Sequence, residues 1–238
     1  MHGDTALMEF ARLTMEPAPR INVVDGALLI AAMEYPALDR AASLRELDHL
    51  AEAAGRRVGA ESGPYGAVNA LSEFLFEEQG FRGNAESYYD PRNSFLNDVL
   101  GRRLGIPITL ALIYIDLAER AGMTAYGVGL PGHFIVGVET HGERILIDPF
   151  HRGVILAEDD LGALMRASAG YDGPLLPEML EPVDARAFLA RMLNNLKTIY
   201  LNEQDYPRAL ATVERLALLY PGDAPHARLR DALRRALA

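Results

Sequence analysis

The chain has 238 residues, half of them hydrophobic and 24% charged, which suits a globular protein with a sizeable core and rules out a disordered one. A formal charge of -10 argues against nonspecific binding to nucleic acid or to anionic membranes, both of which need clustered cations. With no cysteine anywhere, a disulfide framework, a thiolate metal site and a thiol nucleophile are all excluded.

The opening MHGDTALMEF has neither the basic nor the apolar region of a secretory signal, and Asp116 interrupts the longest apolar run, so the expected location is the cytoplasm. Helices punctuate the first third. Asp25 is expected to cap GALLIAAME before Pro36, and Ser43 with Glu46 to form a capping box for a helix reaching about Val58. A third helix is predicted from about Tyr65 to Gln79, with Val68, Leu71, Leu75 and Phe76 on one stripe and Gly80 just past its end. Residues 80–93, GFRGNAESYYDPRN, read as a polar loop, and Ser94 as the cap of FLNDVLGRR.

From Pro107 onward, ITLALIYIDLAER is apolar around its circumference as far as Asp116, the pattern of a central buried helix. Strands are predicted at 125–130, 133–140 and 143–148, with a fourth at 153–156; Pro131-Gly132 and His141-Gly142 supply the turns. An irregular connection is expected over 162–183. Three further helices follow it, in DARAFLARMLNNLKTIYL, YPRALATVERLALLY and APHARLRDALRRAL. Leu193, Leu196, Ile199, Tyr200, Leu216 and Leu219 in them are too apolar to stay in water and are expected to dock on the core's own surface.

The hairpin carries the chemistry. If His141-Gly142 is a two-residue turn, Thr140 faces Glu143 and Asp148 faces Ile135, which makes Asp148 a diagonal neighbour of His133 at roughly 7–8 Å between backbones. A carboxylate spans that gap and fixes an imidazole's tautomer, as an orienting acid does beside a catalytic base. The plainer alternative is that both are polar strand ends, with Asp148 forming a turn before Pro149.

Two other patterns fall away. GVGLPG at 127–132 matches a dinucleotide fingerprint in letters, yet Pro131 blocks the turn and a strand follows where a helix N-terminus is required. Among possible metal ligands, His141 at the hairpin tip lies roughly 25 Å from His133 by strand rise. Only His133, Asp148 and His151 could converge, and no compact spacing motif supports that trio, so no metal and no cofactor is assigned.

The runs GFRGN (80–84), YYDPRNSFLNDVL (88–100), GRRLGIPITLALIYIDLAERAGM (101–123), GVGLPGHFIVGV (127–138) and LIDPFHRG (146–153) resemble the bacterial SirB-type family of transglutaminase-like proteins, over about residues 20–220. The resemblance implies an α+β fold. A helical N-terminal lobe (1–92) precedes a transglutaminase-like, papain-like core (93–161) of a central helix against an antiparallel sheet; a connecting segment (162–183) leads to helices similar to tetratricopeptide repeats (184–238). His133 and Asp148 match the histidine and aspartate of the transglutaminase triad. The cysteine does not carry over: ungapped alignment puts its place at Pro107 and a two-residue slip at Thr109, and neither is a thiol. Thr109 is expected to cap or pack.

The polar loop residues Arg82, Asn84, Tyr88, Tyr89 and Asn93 are candidate ligand contacts; as the alternative, the asparagines satisfy turn backbone and the tyrosines anchor the loop. Two functions of different class follow. One is a noncatalytic pseudoenzyme that recognises a protein or peptide partner, without nucleic acid or membrane. The other is an acyl-transfer or hydrolytic enzyme using water or the Thr109 hydroxyl, activated by His133 and Asp148. Cysteine-dependent transglutaminase or protease activity is excluded by composition.

Overall fold

A computed structural model describes residues 2–60, 63–140 and 142–238. The fold is α+β, and the chain divides into two compact units, each discontinuous in sequence: Met1–Arg40 with Tyr89–Asn97 and Asp184–Ala238, and Ala41–Tyr88 with Asp98–Val183.

The second unit holds the sheet. Its α3 (Arg40–Val58) buries Ser43, Leu47, Leu50, Ala51, Ala54 and Val58, a single stripe at helical spacing. The helix therefore starts ahead of the expected capping box: Ser43 lies on the buried stripe, and Glu46 instead pairs with Arg103 at 2.6 Å. The α4 helix (Pro64–Ser72) continues as a wider π-helical stretch, Glu73–Glu78, and ends at Gly80 with φ +73°, the left-handed backbone a helix stop favours.

Two short strands, β1 (Arg82–Gly83) and β2 (Leu104–Gly105), pair in parallel with Gly83 opposite Gly105. Between them lies α5 (Leu96–Arg102). Ser94 does not cap that helix; it closes a 3-10 turn, Pro91–Asn93, in which Asp90 accepts from the Arg92 amide at 3.0 Å.

The predicted central helix is α6 (Pro107–Arg120), buried without interruption from Pro107 to Tyr114 and again at Leu117 and Ala118. Burial of each large aliphatic side chain there contributes about 1.5–3 kcal/mol, so this helix anchors the unit. It packs on β3 (Thr124–Leu130) and β4 (His133–Thr140), two strands of an antiparallel meander completed by β5 (Glu143–Asp148) and β6 (Val154–Leu156). Thr140 pairs with Glu143 and Val136 with Ile147, the register expected from a two-residue turn at His141-Gly142, although His141 itself lies outside the described residues. At the other end Gly132, with φ +69°, turns β3 into β4.

Residues 133–138 are buried without alternation because the sheet is covered on both faces. Its second cover is α7 (Glu158–Ala169), whose Leu161 and Met165 join Val128, Leu130, Ile135, Leu146 and Leu180 in one apolar cluster. This corrects the expected irregular connection over 162–183: its first eight residues finish α7, which Gly170 terminates at φ +64°. The rest returns along β3, where Val183 donates to the Gly127 carbonyl at 2.9 Å.

The first unit is helical: α1 (His2–Met15), α2 (Val23–Ala31), α8 (Ala185–Asn202), α9 (Tyr206–Leu219) and α10 (Ala224–Ala236). Asn22, not Asp25, caps α2, accepting from the Asp25 amide at 3.0 Å. The aspartates Asp184, Asp205 and Asp223 cap α8, α9 and α10 in the same way. The apolar C-terminal side chains, expected on the core's surface, find their cover within this unit on N-terminal helices, with α2 under α8 and α1 under α9. Contact is close enough that a Cβ on Gly26 would stand 2.6 Å from Leu189.

Candidate functional site

The site lies in the second unit, where β4 begins and β5 ends. His133 Nε2 stands 2.9 Å from Asp148 Oδ2, with the two residues only 5% and 1% exposed. An ionised carboxylate only accepts, so Nε2 is the donor and, in the neutral ring, Nδ1 is the nitrogen able to take up a proton. That is the division of labour between a base and its orienting acid.

Asp148 does more than pair with His133. Its Oδ1 caps the 3-10 turn Pro149–His151, accepting from the Phe150 amide at 2.9 Å and the His151 amide at 3.3 Å. The two sequence alternatives, an orienting carboxylate and a turn former, are thus both true, one on each oxygen. The turn also brings His151 back over the same carboxylate, its Nδ1 at 2.7 Å from Oδ2. Both imidazoles thereby converge on Oδ2, with rings nearly parallel at a centroid distance of 5.9 Å. His133 is enclosed and His151, with 57% of its side chain exposed, faces solvent.

Burial by itself would raise the Asp148 carboxyl. The hydrogen bond and charge of His133, followed by those of His151, outweigh it and hold the group below the usual carboxylate range.

The helix start has gone another way. Thr109 Oγ1 accepts from the Ile106 amide and donates to the Ile106 carbonyl, both at 3.1 Å, tying the hydroxyl into the first turn of α6. Pro107 occupies the first helical position and has no nucleophilic group.

What connects the two halves is the small parallel pair. A Cβ on Gly83 would meet the Phe150 ring and carbonyl oxygen at 2.6 Å; one on its partner Gly105 would meet Thr109 Oγ1 at 2.9 Å. One glycine admits the histidine-bearing turn and the other admits the cap of α6. Phe150 extends the contact, lying edge-on to His133 at 6.1 Å and to Tyr88 at 5.9 Å.

The polar loop residues are divided. Arg82 is exposed and joins through its main chain to the Arg103 carbonyl at 2.9 Å, while buried Asn84 donates its amide to the Gly105 carbonyl at 3.0 Å and accepts from the Ser87 amide at 3.1 Å. Tyr88 reaches Phe150. Tyr89 and Asn93 belong to the first unit, Tyr89 exposed and Asn93 fully buried in its turn. Sequence reasoning considered His151 only as a metal ligand and left Phe150 out of the site. Their signal was present in DPFH: a carboxylate three residues ahead of an imidazole across a proline, the spacing of one 3-10 turn.

Among the described residues, His133, Asp148 and His151 are also the group able to hold a metal ion, their ligand atoms all within 4.8 Å of one another. No helix among those residues is long and apolar enough to cross a membrane.

Comparison with known proteins agrees with the architecture. A UPF0162 protein of Xylella fastidiosa (strain Temecula1) is 38% identical over 218 residues, covering 89% of this chain and 75% of its own, and one of Vibrio cholerae is 32% identical over 215, covering 89% and 77%. The mouse F-box only protein 21 is 28% identical over 167 residues, 65% of this chain but 25% of that protein. No solved structure matches. The model of the transglutaminase-like superfamily matches residues 41–194, spanning α3, the whole sheet and the start of α8, and the chain belongs to that superfamily.

Proposed function

We propose that this protein is a noncatalytic recognition module, a transglutaminase-like pseudoenzyme that keeps the His133–Asp148 site to bind a protein or peptide partner. The observation that carries this reading is the state of Thr109: the one hydroxyl aligned near the nucleophile's place is engaged with both main-chain groups of Ile106, in a chain without cysteine. A threonine hydroxyl is far less readily ionised than a thiol, and its engagement in a cap lowers its reactivity further. In this role the chain is of the SirB type and acts in the cytoplasm, and its C-terminal helices are tetratricopeptide-like.

A second reading rests on the intact His133–Asp148 hydrogen bond, the arrangement by which a base draws a proton from a water in hydrolysis or from the Thr109 hydroxyl in acyl transfer. Purified protein incubated with glutamine-containing peptides and a primary amine, and separately with activated esters, distinguishes them. The recognition reading expects no product above buffer, together with shifts of the His133 ring signals on titration with peptides that bind. Turnover that disappears in His133→Ala would overturn it in favour of the hydrolytic enzyme.

A further inference from the structure

His133 Nε2, Asp148 Oδ2 and His151 Nδ1 form a set of three ligand atoms of the kind that binds zinc and similar divalent transition metals: two imidazole nitrogens and one carboxylate oxygen. Three features of the site suit an ion. The carboxylate is already directed, because Oδ1 is committed to the Phe150 and His151 amides and only Oδ2 points between the rings. The two nitrogens stand 2.9 and 2.7 Å from Oδ2, against about 3.4 Å between adjacent ligands of an ion bound tetrahedrally at roughly 2.1 Å, so side-chain shifts of roughly half an ångström or a little more admit it. His151 is the exposed member and gives an ion its way in, while His133 and Asp148 are walled off.

We infer that His133, Asp148 and His151 form a binding site for one divalent transition metal ion, of which zinc is the probe of choice. Three protein ligands leave at least one coordination position for water or for a carboxylate or carbonyl of a partner. The site goes beyond the recognition reading and does not depend on it.

Metal binding has a definite proton consequence. Without metal, Nε2 of His133 and Nδ1 of His151 carry the protons donated to Asp148. To ligate, each of these nitrogens must present its lone pair, so in the neutral rings the proton passes by exchange with water to Nδ1 of His133 and Nε2 of His151. Nδ1 of His133 then holds a proton and cannot act as a base. Metal occupancy and a general-base role for His133 exclude each other.

Calorimetric titration of the full chain with zinc chloride at neutral pH, with imidazole 15N spectra recorded in parallel, tests the site. One zinc ion per chain is expected, with affinity at least about tenfold weaker in His151→Ala, a substitution at an exposed side chain that leaves the fold intact. His49→Ala and His226→Ala, at histidines outside the site, are expected to bind as the parent does. At saturation the His133 proton should have moved from Nε2 to Nδ1, and in His151→Ala it should stay. Absence of saturable binding, equal affinity in His151→Ala, or a His133 that keeps its Nε2 proton under saturating zinc would each overturn the inference. Binding without turnover leaves the recognition reading standing; turnover that needs His133 and stops when zinc binds removes that reading and upholds the metal site.

Discussion

The start of α6 and the base of the β4–β5 hairpin, where the family resemblance would put a nucleophile and its base, use their polar side chains differently. At the helix start the Thr109 hydroxyl closes the first turn on Ile106, and Pro107 fixes the chain's entry. At the hairpin base a buried carboxylate is held between two imidazoles, at 2.9 and 2.7 Å. Loss of a nucleophile costs a fold little, since a cap can replace it. Loss of a buried carboxylate strands its partners, and the pair is held by stability whether or not a reaction uses it.

That contrast is sharpest in Asp148→Ala, which leaves two turn amides and a buried imidazole without their acceptor. A loss of about 3–5 kcal/mol in urea unfolding is expected; a loss below about 1 kcal/mol, the level of an ordinary surface pair, would remove the distinction between the two regions. The same residue sets the acid limit. Because the folded-state carboxyl lies below its unfolded value near 3.9, its stabilisation is complete above that pH and is lost as pH falls through the lower folded value. Unfolding free energy measured between neutral pH and pH 2 should therefore drop more steeply in the parent than in Asp148→Asn.

Gly83→Ala attacks the link between the regions. Its new methyl would stand 2.6 Å from the Phe150 ring and carbonyl, and displacement of that turn should cost about 1–3 kcal/mol and shift the His133 and His151 ring signals together. Unchanged ring signals would show that the parallel strand pair does not position the histidines. The smallest effect is expected at the helix start: Thr109→Ala should cost about 0.5–2 kcal/mol, as loss of a cap does, and leave the His133 ring signals in place. Were the ring to respond as strongly as it does to Gly83→Ala, the helix start would still belong to the site and the divergence would be smaller than the geometry indicates.

His133 and Asp148 were legible as a pair because strand geometry is periodic. Once Thr140 is set opposite Glu143, every later partner follows, and the two ends come within reach. His151 was not, because its approach depends on a 3-10 turn capped by the same aspartate, a local structure stabilised by a side chain whose role had already been assigned to the sheet. The α7 helix was missed, although acidic residues at its start and Gly170 at its end are ordinary helix signals, because the glycines and prolines farther on made the stretch from 162 look irregular.

Local order in the sequence by itself determined the apolar helix from Pro107, the four strands of the meander and the register of β4 on β5, the three C-terminal helices and the absence of any thiol, since each is written in neighbouring residues through periodicity, turn chemistry or composition. Tertiary structure alone decided that Gly83 and Gly105 lie side by side, one under Phe150 and one under Thr109, and that one carboxylate serves a turn and two imidazoles at once. Gly83 meets Gly105 and Phe150 from segments more than 20 residues away, and His133 meets from another strand a carboxylate that the local DPFH turn already shares with His151; these meetings have no local pattern and exist only once burial of α6 against the sheet has fixed where each segment must lie.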